Sequence, residues 1–232
     1  MLSRVTSETV DLGHASRPVV VIGYGGHGKV VVSALRASGR CVVGVTDLDL
    51  ARLNNRANDF EILSDEAVLE KYTPDSVDLV LGIGSVRPCD GDSARVKAVE
   101  KFSKYGFCFC GFQHPTAWVA PDVQIDQGVQ VHAGVIVQAG AVIGTHTILN
   151  TGCSVDHDCQ IGEFCHIAPG AILSGEVKVG RGSHLGTGCV VIQSIEIGAR
   201  CLVAAGATVV RSVDADKSVR GTPATPFIVL KS

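Results

Sequence analysis

The stretch SVDHDCQIGEFCH at residues 154–166 concentrates polar side chains in a region of small apolar residues and glycine. It contains two histidines, and the first of them, His157, is followed directly by Asp158. A neighbouring carboxylate favours the imidazolium form and raises the pKa of a histidine, which strengthens the ring as a base near neutral pH. Such a pair can remove a proton from an attacking amine or hydroxyl. The competing interpretation is a solvated polar patch on a structural repeat.

The elements that must carry these side chains are indicated by a six-residue period in the second half of the chain. From Val119 to Val209 every sixth residue is aliphatic, without a change of phase. This period fits neither an α-helix nor a hairpin meander, and it is typical of a parallel β-helix built from hexapeptides. Three hexads close one triangular coil, so residues that are 18 apart are expected to stack on successive coils.

The remaining hexad positions follow the same rule when the aliphatic residue is counted as position one. Position five carries small or β-branched side chains, as a narrow interior requires, and five of the nine cysteines fall there. A buried thiol behaves as a small hydrophobe, so we interpret these cysteines as reduced packing residues rather than as disulfides or metal ligands. Position four is glycine in eight of sixteen hexads, which indicates corners that favour positive φ.

This numbering separates the polar residues of the opening stretch. His157 and Asp158 occupy positions three and four, so they are expected at a corner, pointing away from the packed interior. His166 and His184 both occupy position six and are 18 residues apart, so they are expected to stack on one outward face. For His184 we favour trimer packing or simple exposure.

The first half of the chain has the pattern of an α/β unit with a parallel sheet. Gly23, Gly25 and Gly28 form a G-x-G-x-x-G turn between a predicted strand and helix, and Asp47 follows at the distance of a ribose-binding acid. Val30 stands where a P-loop needs Ser or Thr, which excludes an NTPase. The alternative is a tight turn with no ligand. The predicted strands are residues 18–23, 41–47 and 77–85, and the predicted helices are residues 29–39 and 92–105.

Composition excludes several other classes of protein. A formal net charge of −3 with 19% charged residues provides no basic field for nucleic acid or for a membrane surface. No stretch approaches the roughly 20 apolar residues that span a bilayer, and the polar first 17 residues lack the apolar core of a signal peptide. We therefore expect a cytoplasmic protein with no nucleic-acid partner and no membrane insertion.

The glycine turn GYGGHGKVV, combined with a left-handed hexapeptide β-helix that contains LNTGCSVDHDCQIGEFCHIAPGA, resembles the bacterial nucleotide-amino-sugar acetyltransferases of the PglD and NeuD type. The resemblance covers nearly the whole chain after residue 16. It implies a flexible tail at residues 1–16, a Rossmann-like domain for a nucleotide-linked sugar at 17–113, and a left-handed β-helix acetyltransferase domain with a C-terminal tail at 114–232. Acetyl-CoA is then the co-substrate, without a tightly bound cofactor or a metal, and the active sites lie between the subunits of a homotrimer.

The resemblance also assigns roles to individual residues. His157 matches the general base, and Asp158 matches the carboxylate that raises its basicity, although the family member compared has Glu there. The positions that match acetyl-CoA-binding residues are His166, Gly175, Thr187 and Ala205. The positions that match nucleotide-sugar-binding residues are Gly25, Gly26, His27, Asp47, Leu48 and Gly84.

The predicted reaction is N-acetylation of a UDP-, GDP- or dTDP-linked 4-amino-4,6-dideoxy sugar, and three alternatives stay open. The first is O-acetylation of a sugar, as in modification of sialic acid. The second is a zinc enzyme similar to γ-class carbonic anhydrases, with His157, His166 and His184 as the histidines available for a metal. The third is a non-catalytic trimer that binds a nucleotide.

Overall fold

The computed structural model describes residues 17–48 and 59–226 of the 232-residue chain. The tail predicted for residues 1–16 and the end of the predicted C-terminal tail lie outside these ranges. No helix in the described ranges has the length and apolar character needed to cross a bilayer.

The first domain is a four-stranded parallel sheet in the order β3-β2-β1-β4, with helices on both sides. Alternate residues of β1 point to opposite faces, so Val19 and Val21 pack with Leu35 of α1, whereas Val20 and Ile22 pack in a second cluster on the other face. This confirms the predicted Rossmann-like unit. Its elements are β1 (Val19–Ile22), α1 (Gly26–Ala37), β2 (Val42–Thr46), β3 (Glu61–Leu63), α2 (Asp65–Lys71), β4 (Asp78–Leu81) and α3 (Ala94–Ser103).

The second domain is a left-handed parallel β-helix of very short strands. Its strands are β5 (Phe112–Gln113), β6 (Trp118–Val119), β7 (Gln124–Ile125), β8 (Gln130–Val131), β9 (Ile136–Val137), β10 (Val142–Ile143), β11 (Ile148–Leu149), β12 (Ser154–Val155), β13 (Gln160–Ile161), β14 (His166–Ile167), β15 (Ile172–Leu173), β16 (Lys178–Val179), β17 (His184–Leu185), β18 (Val190–Val191), β19 (Glu196–Ile197), β20 (Leu202–Val203), β21 (Thr208–Val209), β22 (Ser218–Arg220) and β23 (Thr225–Pro226).

These strands form the three faces of a triangular prism. Face 1 contains β5, β8, β11, β14, β17, β20 and β22, with β23 antiparallel to β22 at its end. Face 2 contains β6, β9, β12, β15, β18 and β21, and face 3 contains β7, β10, β13, β16 and β19. Paired residues are 18 apart, as in Val155 opposite Leu173, which confirms the period read from the sequence.

The interior and the corners also follow the predicted hexad. The five cysteines at position five are fully buried, and burial raises the pKa of Cys153 to about 12, which keeps its thiol protonated. Every position-four residue from Gly128 to Gly206 has positive φ, and six of these fourteen residues are not glycine. The corner geometry is therefore imposed by the coil and does not depend on glycine alone.

The first domain covers face 1 of the prism. Gln130 of that face donates from Nε2 to the carbonyl of Leu81 at 2.6 Å, and His166 is hydrogen-bonded to the carbonyl of Ser85 at 2.6 Å. His184 is only 7% exposed, and its ring packs edge-on against the ring of His166 with centroids 4.8 Å apart. The expected exposure of His184 is therefore wrong, because face 1 is an interface between domains.

Candidate active site

His157 lies at the corner between faces 2 and 3, on the turn from β12 to β13. Its ring Nδ1 is 2.9 Å from Oδ2 of Asp158, and its main-chain N–H donates to Oδ1 of Asp156 at 2.8 Å. An ionised carboxylate can only accept, so Nδ1 carries the proton of the neutral ring and Nε2 carries the lone pair. The side chain of His157 is 56% exposed in the protomer, so Nε2 is open to a substrate.

Several acidic groups around this corner favour the protonated ring. The hydrogen bond from His157 to Asp158 is the largest influence and raises the pKa of the imidazole above its ordinary value. The charges of Asp156 and Glu176 act in the same direction. The geometry places Asp158 at φ 59°, a left-handed corner conformation from which its carboxylate reaches the ring of the preceding residue. The pair thus has the arrangement of a base and its supporting acid.

Gly175 stacks on the same corner, one coil beyond His157. A Cβ atom at residue 175 would lie under 3.0 Å from the Nε2 and Cε1 atoms of the imidazole. The main-chain N–H of Glu176 donates to the carbonyl of His157 at 2.9 Å, which locks the two coils in register. Any side chain at 175 would therefore displace the imidazole from its position.

The glycine turn joins β1 to α1 and leaves the start of the helix open. Gly28 packs so closely on the carbonyl of Gly23 that a Cβ would overlap it, whereas Cβ atoms at Gly25 and Gly26 would meet nothing within 4 Å. No side chain caps the first turn of α1, so its main-chain N–H groups face the open space. This is the arrangement in which a helix N-terminus binds phosphate.

A cavity of about 660 Å³ lies between this turn and face 1 of the β-helix. It brings together Gly25, Gly26, His27 and Gly84, four of the six predicted nucleotide-sugar-binding residues. Its far wall comes from the second domain and includes Asn150 and His166. The structure therefore places His166, which was assigned to acetyl-CoA, on the nucleotide side of the same chain.

A second cavity of about 580 Å³ lies on the other side of the glycine turn. It is lined by Asp47 and Leu48, the other two predicted nucleotide-sugar-binding residues, and by Lys97 and Lys101 of α3. The two cavities share Gly23, Gly25 and Ile83, so one elongated ligand can occupy both with its phosphates at the turn. A nucleoside joined to a sugar through a diphosphate has this shape.

His27 and His166 are held in defined orientations by partners that the sequence pattern did not indicate. The amide of Gln130 donates to a carbonyl, so its oxygen must accept from Nε2 of His27 at 2.9 Å. His166 donates from Nδ1 to the carbonyl of Ser85, and its Nε2 accepts from Nδ2 of Asn150 at 3.0 Å. Burial lowers the pKa of His166 to about 3, so its ring is neutral. A polar residue at position six of face 1 was the available signal for Gln130.

The remaining predicted acetyl-CoA contacts lie on a third part of the prism. Thr187 and Ala205 are exposed at the corner between faces 1 and 2, and the N–H of Gly206 bonds to the carbonyl of Thr187 at 2.9 Å. His157 faces away from both cavities, because the corner between faces 2 and 3 is opposite face 1 in a triangular prism. Within one protomer, His157 and His166 therefore cannot act on the same ligand atom. No group of three or more His, Cys, Asp or Glu side chains in the described ranges is arranged to bind a metal ion.

Known proteins share both domains and their order. The family model of the PglD N-terminal domain matches residues 18–88. A mutant of perosamine N-acetyltransferase from Caulobacter crescentus, solved with CoA and GDP-perosamine, is 37% identical, with 93% of this chain and 99% of that chain covered and a TM-score of 0.82. The acetyltransferase domain of PglB from Neisseria gonorrhoeae is 35% identical, with coverage of 91% and 100% and a TM-score of 0.79. No curated protein sequence matches the chain.

A Rossmann-like domain seated on a left-handed β-helix, with a histidine and its acid on an open corner, defines a class of hexapeptide-repeat acyltransferases. Identity of 37% over almost the full length of both chains narrows the class further. The chain belongs to the PglD/NeuD-type family of nucleotide-amino-sugar N-acetyltransferases.

Proposed function

We propose that this protein transfers an acetyl group from acetyl-CoA to the amine of a nucleotide-linked 4-amino-4,6-dideoxy sugar, for the synthesis of a bacterial surface glycan. The observation that carries the proposal is the His157 pair on its open corner, in a chain whose first domain has an open helix N-terminus beside two connected cavities. The Caulobacter relative binds CoA and GDP-perosamine, which has the same chemistry of donor and acceptor.

In the proposed mechanism, the acceptor amine attacks the thioester carbonyl directly. His157 takes the proton of the amine on Nε2 as the new N–C bond forms, and Asp158 stabilises the resulting imidazolium through Nδ1–H. The tetrahedral intermediate then collapses with cleavage of the C–S bond, and the proton passes from the imidazolium to the departing thiolate of CoA. The absence of a side chain at Gly175 leaves room beside the ring for the acyl group.

The position of His157 supports a homotrimer with sites between subunits. The cavities at the glycine turn lie over face 1, on the opposite side of the prism from His157, so a base for the acceptor in these cavities must come from another copy. Face 2 provides an apolar surface for such a contact, with Trp118, Ile136 and Ile172 stacked on neighbouring strands and 56%, 40% and 47% exposed. An exposed apolar surface of this kind is typical of a protein interface.

Mixed trimers test this arrangement. A His157→Ala subunit keeps its nucleotide cavity, and a Gly84→Val subunit keeps its base but crowds the side chain of His27. Each variant alone is expected to be nearly inactive. In equimolar mixed trimers roughly a quarter of the interfaces combine an intact base with an intact cavity, so activity should recover toward that fraction of the wild-type value. If the two parts act within one chain, mixing restores nothing.

Thiol release from acetyl-CoA tests the reaction itself. Wild-type protein is assayed with UDP-, GDP- and dTDP-linked 4-amino sugars and with the corresponding 4-hydroxy sugars. We expect turnover only with amine acceptors, and His157→Ala should lower kcat by roughly 10² or more while nucleotide binding persists. Exclusive turnover of hydroxyl acceptors would favour sugar O-acetylation. Turnover of a free sugar, without any activity on the nucleotide-linked ones, would contradict the assignment.

A cytoplasmic location follows from the same proposal. Acetyl-CoA and nucleotide-linked sugars are cytoplasmic metabolites, so an enzyme that joins them is expected where both are made. All nine cysteines are free thiols, which agrees with a reducing compartment.

A further inference from the structure

Three carbonyl groups on one corner of the β-helix accept hydrogen bonds from the first domain. They belong to His146, Phe164 and Gly182, which are 18 residues apart and lie at position four of successive coils, at the corner between faces 3 and 1. Arg95 of α3 donates to the carbonyls of His146 and Phe164, the second at 3.2 Å. The main-chain N–H of Cys89 donates to the carbonyl of Gly182 at 2.6 Å. The first domain is thus attached to three consecutive coils.

Arg95 is an unusual residue for such a contact, because it is only 1% exposed. In the described part of the chain no carboxylate forms an ion pair with it, and its nearest aromatic neighbour is the ring of Phe164, 5.8 Å from the guanidinium carbon. Burying a charge without an ionic partner is costly, so the two carbonyl dipoles must stabilise it. Because both carbonyls belong to the rigid coil backbone, the planar guanidinium accepts only a narrow range of positions for α3.

The segment that Arg95 and Cys89 attach to the β-helix also forms part of the candidate site. It runs from the end of β4 to the start of α3, and its first part supplies Gly84, Ser85 and Val86 to the wall of the 660 Å³ cavity. The carbonyl of Ser85 is the acceptor for Nδ1 of His166. A displacement of this segment would therefore change the cavity wall and the orientation of His166 together.

We propose that Arg95 is a positioning residue for acetyl transfer, which sets how the nucleotide-binding domain is seated on the β-helix and so where the acceptor amine lies. The inference rests on the proposed function, since it concerns the geometry of that same site. Arg95 acts through the backbone segment that follows β4 and does not touch the substrate. Misplacement by about 1 Å can cost on the order of a hundredfold in rate, so a small change in seating is sufficient.

The experiment compares wild-type protein with Arg95→Lys and Arg95→Ala in the thiol-release assay, at a temperature where circular dichroism shows each variant folded. We expect kcat to fall by about tenfold to a hundredfold in both variants. Millimolar guanidinium ion should restore part of the kcat of Arg95→Ala, because it can occupy the vacated site between the two carbonyls. Ile197→Ala, which removes side-chain volume from the β-helix interior, is the control for lost stability and should keep the wild-type kcat.

Two results would overturn the inference while leaving the proposed function intact. One is a folded Arg95→Lys enzyme with wild-type kcat and KM. The other is an equal loss of kcat in Ile197→Ala and Arg95→Ala with no rescue by guanidinium, since this would make the effect one of stability. A wild-type protein that acetylates no nucleotide-linked amino sugar would overturn the proposed function, and this inference with it.

Discussion

The imidazole of His157 lies directly over Gly175 on the next coil, so closely that a Cβ on Gly175 would overlap the ring. Gly175 is not in the left-handed region, so alanine fits its backbone conformation and the conflict is confined to the histidine. We predict that Gly175→Ala lowers kcat by about 10²-fold or more, because the base is displaced from the reacting amine. Thermal unfolding should change little, since His157 is exposed.

The control for this prediction is Gly188→Ala. Gly188 is at position four with φ 64°, so alanine there strains the backbone without approaching His157. We expect Gly188→Ala to lose stability and keep kcat, which is the opposite of Gly175→Ala. Wild-type kcat in Gly175→Ala would show that the ring can occupy another position without loss of function.

Asp158 should control the pH dependence of the reaction. Its hydrogen bond raises the pKa of His157, and the imidazole must be neutral to act as a base, so kcat/KM falls as pH drops below this raised pKa. Asp158→Asn removes the charge, and asparagine tolerates the left-handed corner. We predict that the acidic limb of the profile moves to lower pH and that the plateau at high pH falls, because the base is weaker.

Asp156→Asn provides the matched control. Asp156 bonds to the main-chain N–H of His157 and not to its ring, so removing its charge should move the acidic limb by less than Asp158→Asn. An unchanged acidic limb in Asp158→Asn would mean that another group titrates in the observed range.

The repeat region shows how far a sequence pattern can predict this structure. Because each hexad has the same backbone path, a list of sixteen aliphatic positions was sufficient to predict the pairing of Val155 with Leu173 and the corner position of His157. It also predicted that Gly175 would lie beside His157, because residues 18 apart meet on adjacent coils. These are local or strictly periodic relationships, so they require no knowledge of how the two domains dock.

The burial of face 1 could not be predicted in the same way. It depends on contacts such as Gln130 with Leu81 and His166 with Ser85, which join residues 49 and 81 positions apart without a periodic signal. For this reason the exposure expected for His184 was wrong, and the partners of His27 and His166 were missed. In the first domain the short elements β3 and α2 were also missed, since three and seven residues carry too little pattern.

The histidines at the domain interface predict loss of stability in acid. Burial is the main cause that lowers their pKa values below 6.5, so the folded state holds them neutral while the unfolded chain protonates. Stability is then complete above about pH 6.5 and falls as pH drops toward 4, by up to about 1.4 kcal/mol per pH unit for each histidine. The residues concerned are His132 and His166, with pKa values of about 3, and His146 and His184, with values of about 4.

Thermal unfolding at pH 7.5 and 5.0 measures this effect, and His132→Phe is the informative variant. His132 is 0% exposed, neither ring nitrogen has a hydrogen-bond partner, and the ring packs edge-on against Phe112. Phenylalanine keeps the aromatic contact and removes one titrating group. We expect a higher Tm at pH 7.5 than at pH 5.0 in wild type and a smaller difference in His132→Phe. An equal difference in both proteins would exclude His132 from the acid response.

Ile172 tests whether face 2 is the surface that joins the subunits. Its side chain is 47% exposed in the protomer, so Ile172→Glu should leave the fold of one chain intact, but a carboxylate buried between chains has no compensating partner there. We predict that sedimentation velocity shows trimers for wild type and smaller species for Ile172→Glu, with activity lost in parallel. Gln124→Glu places the same charge at position six of face 3 and should affect neither. A trimeric, active Ile172→Glu protein would mean that the base reaches the neighbouring cavity across another face.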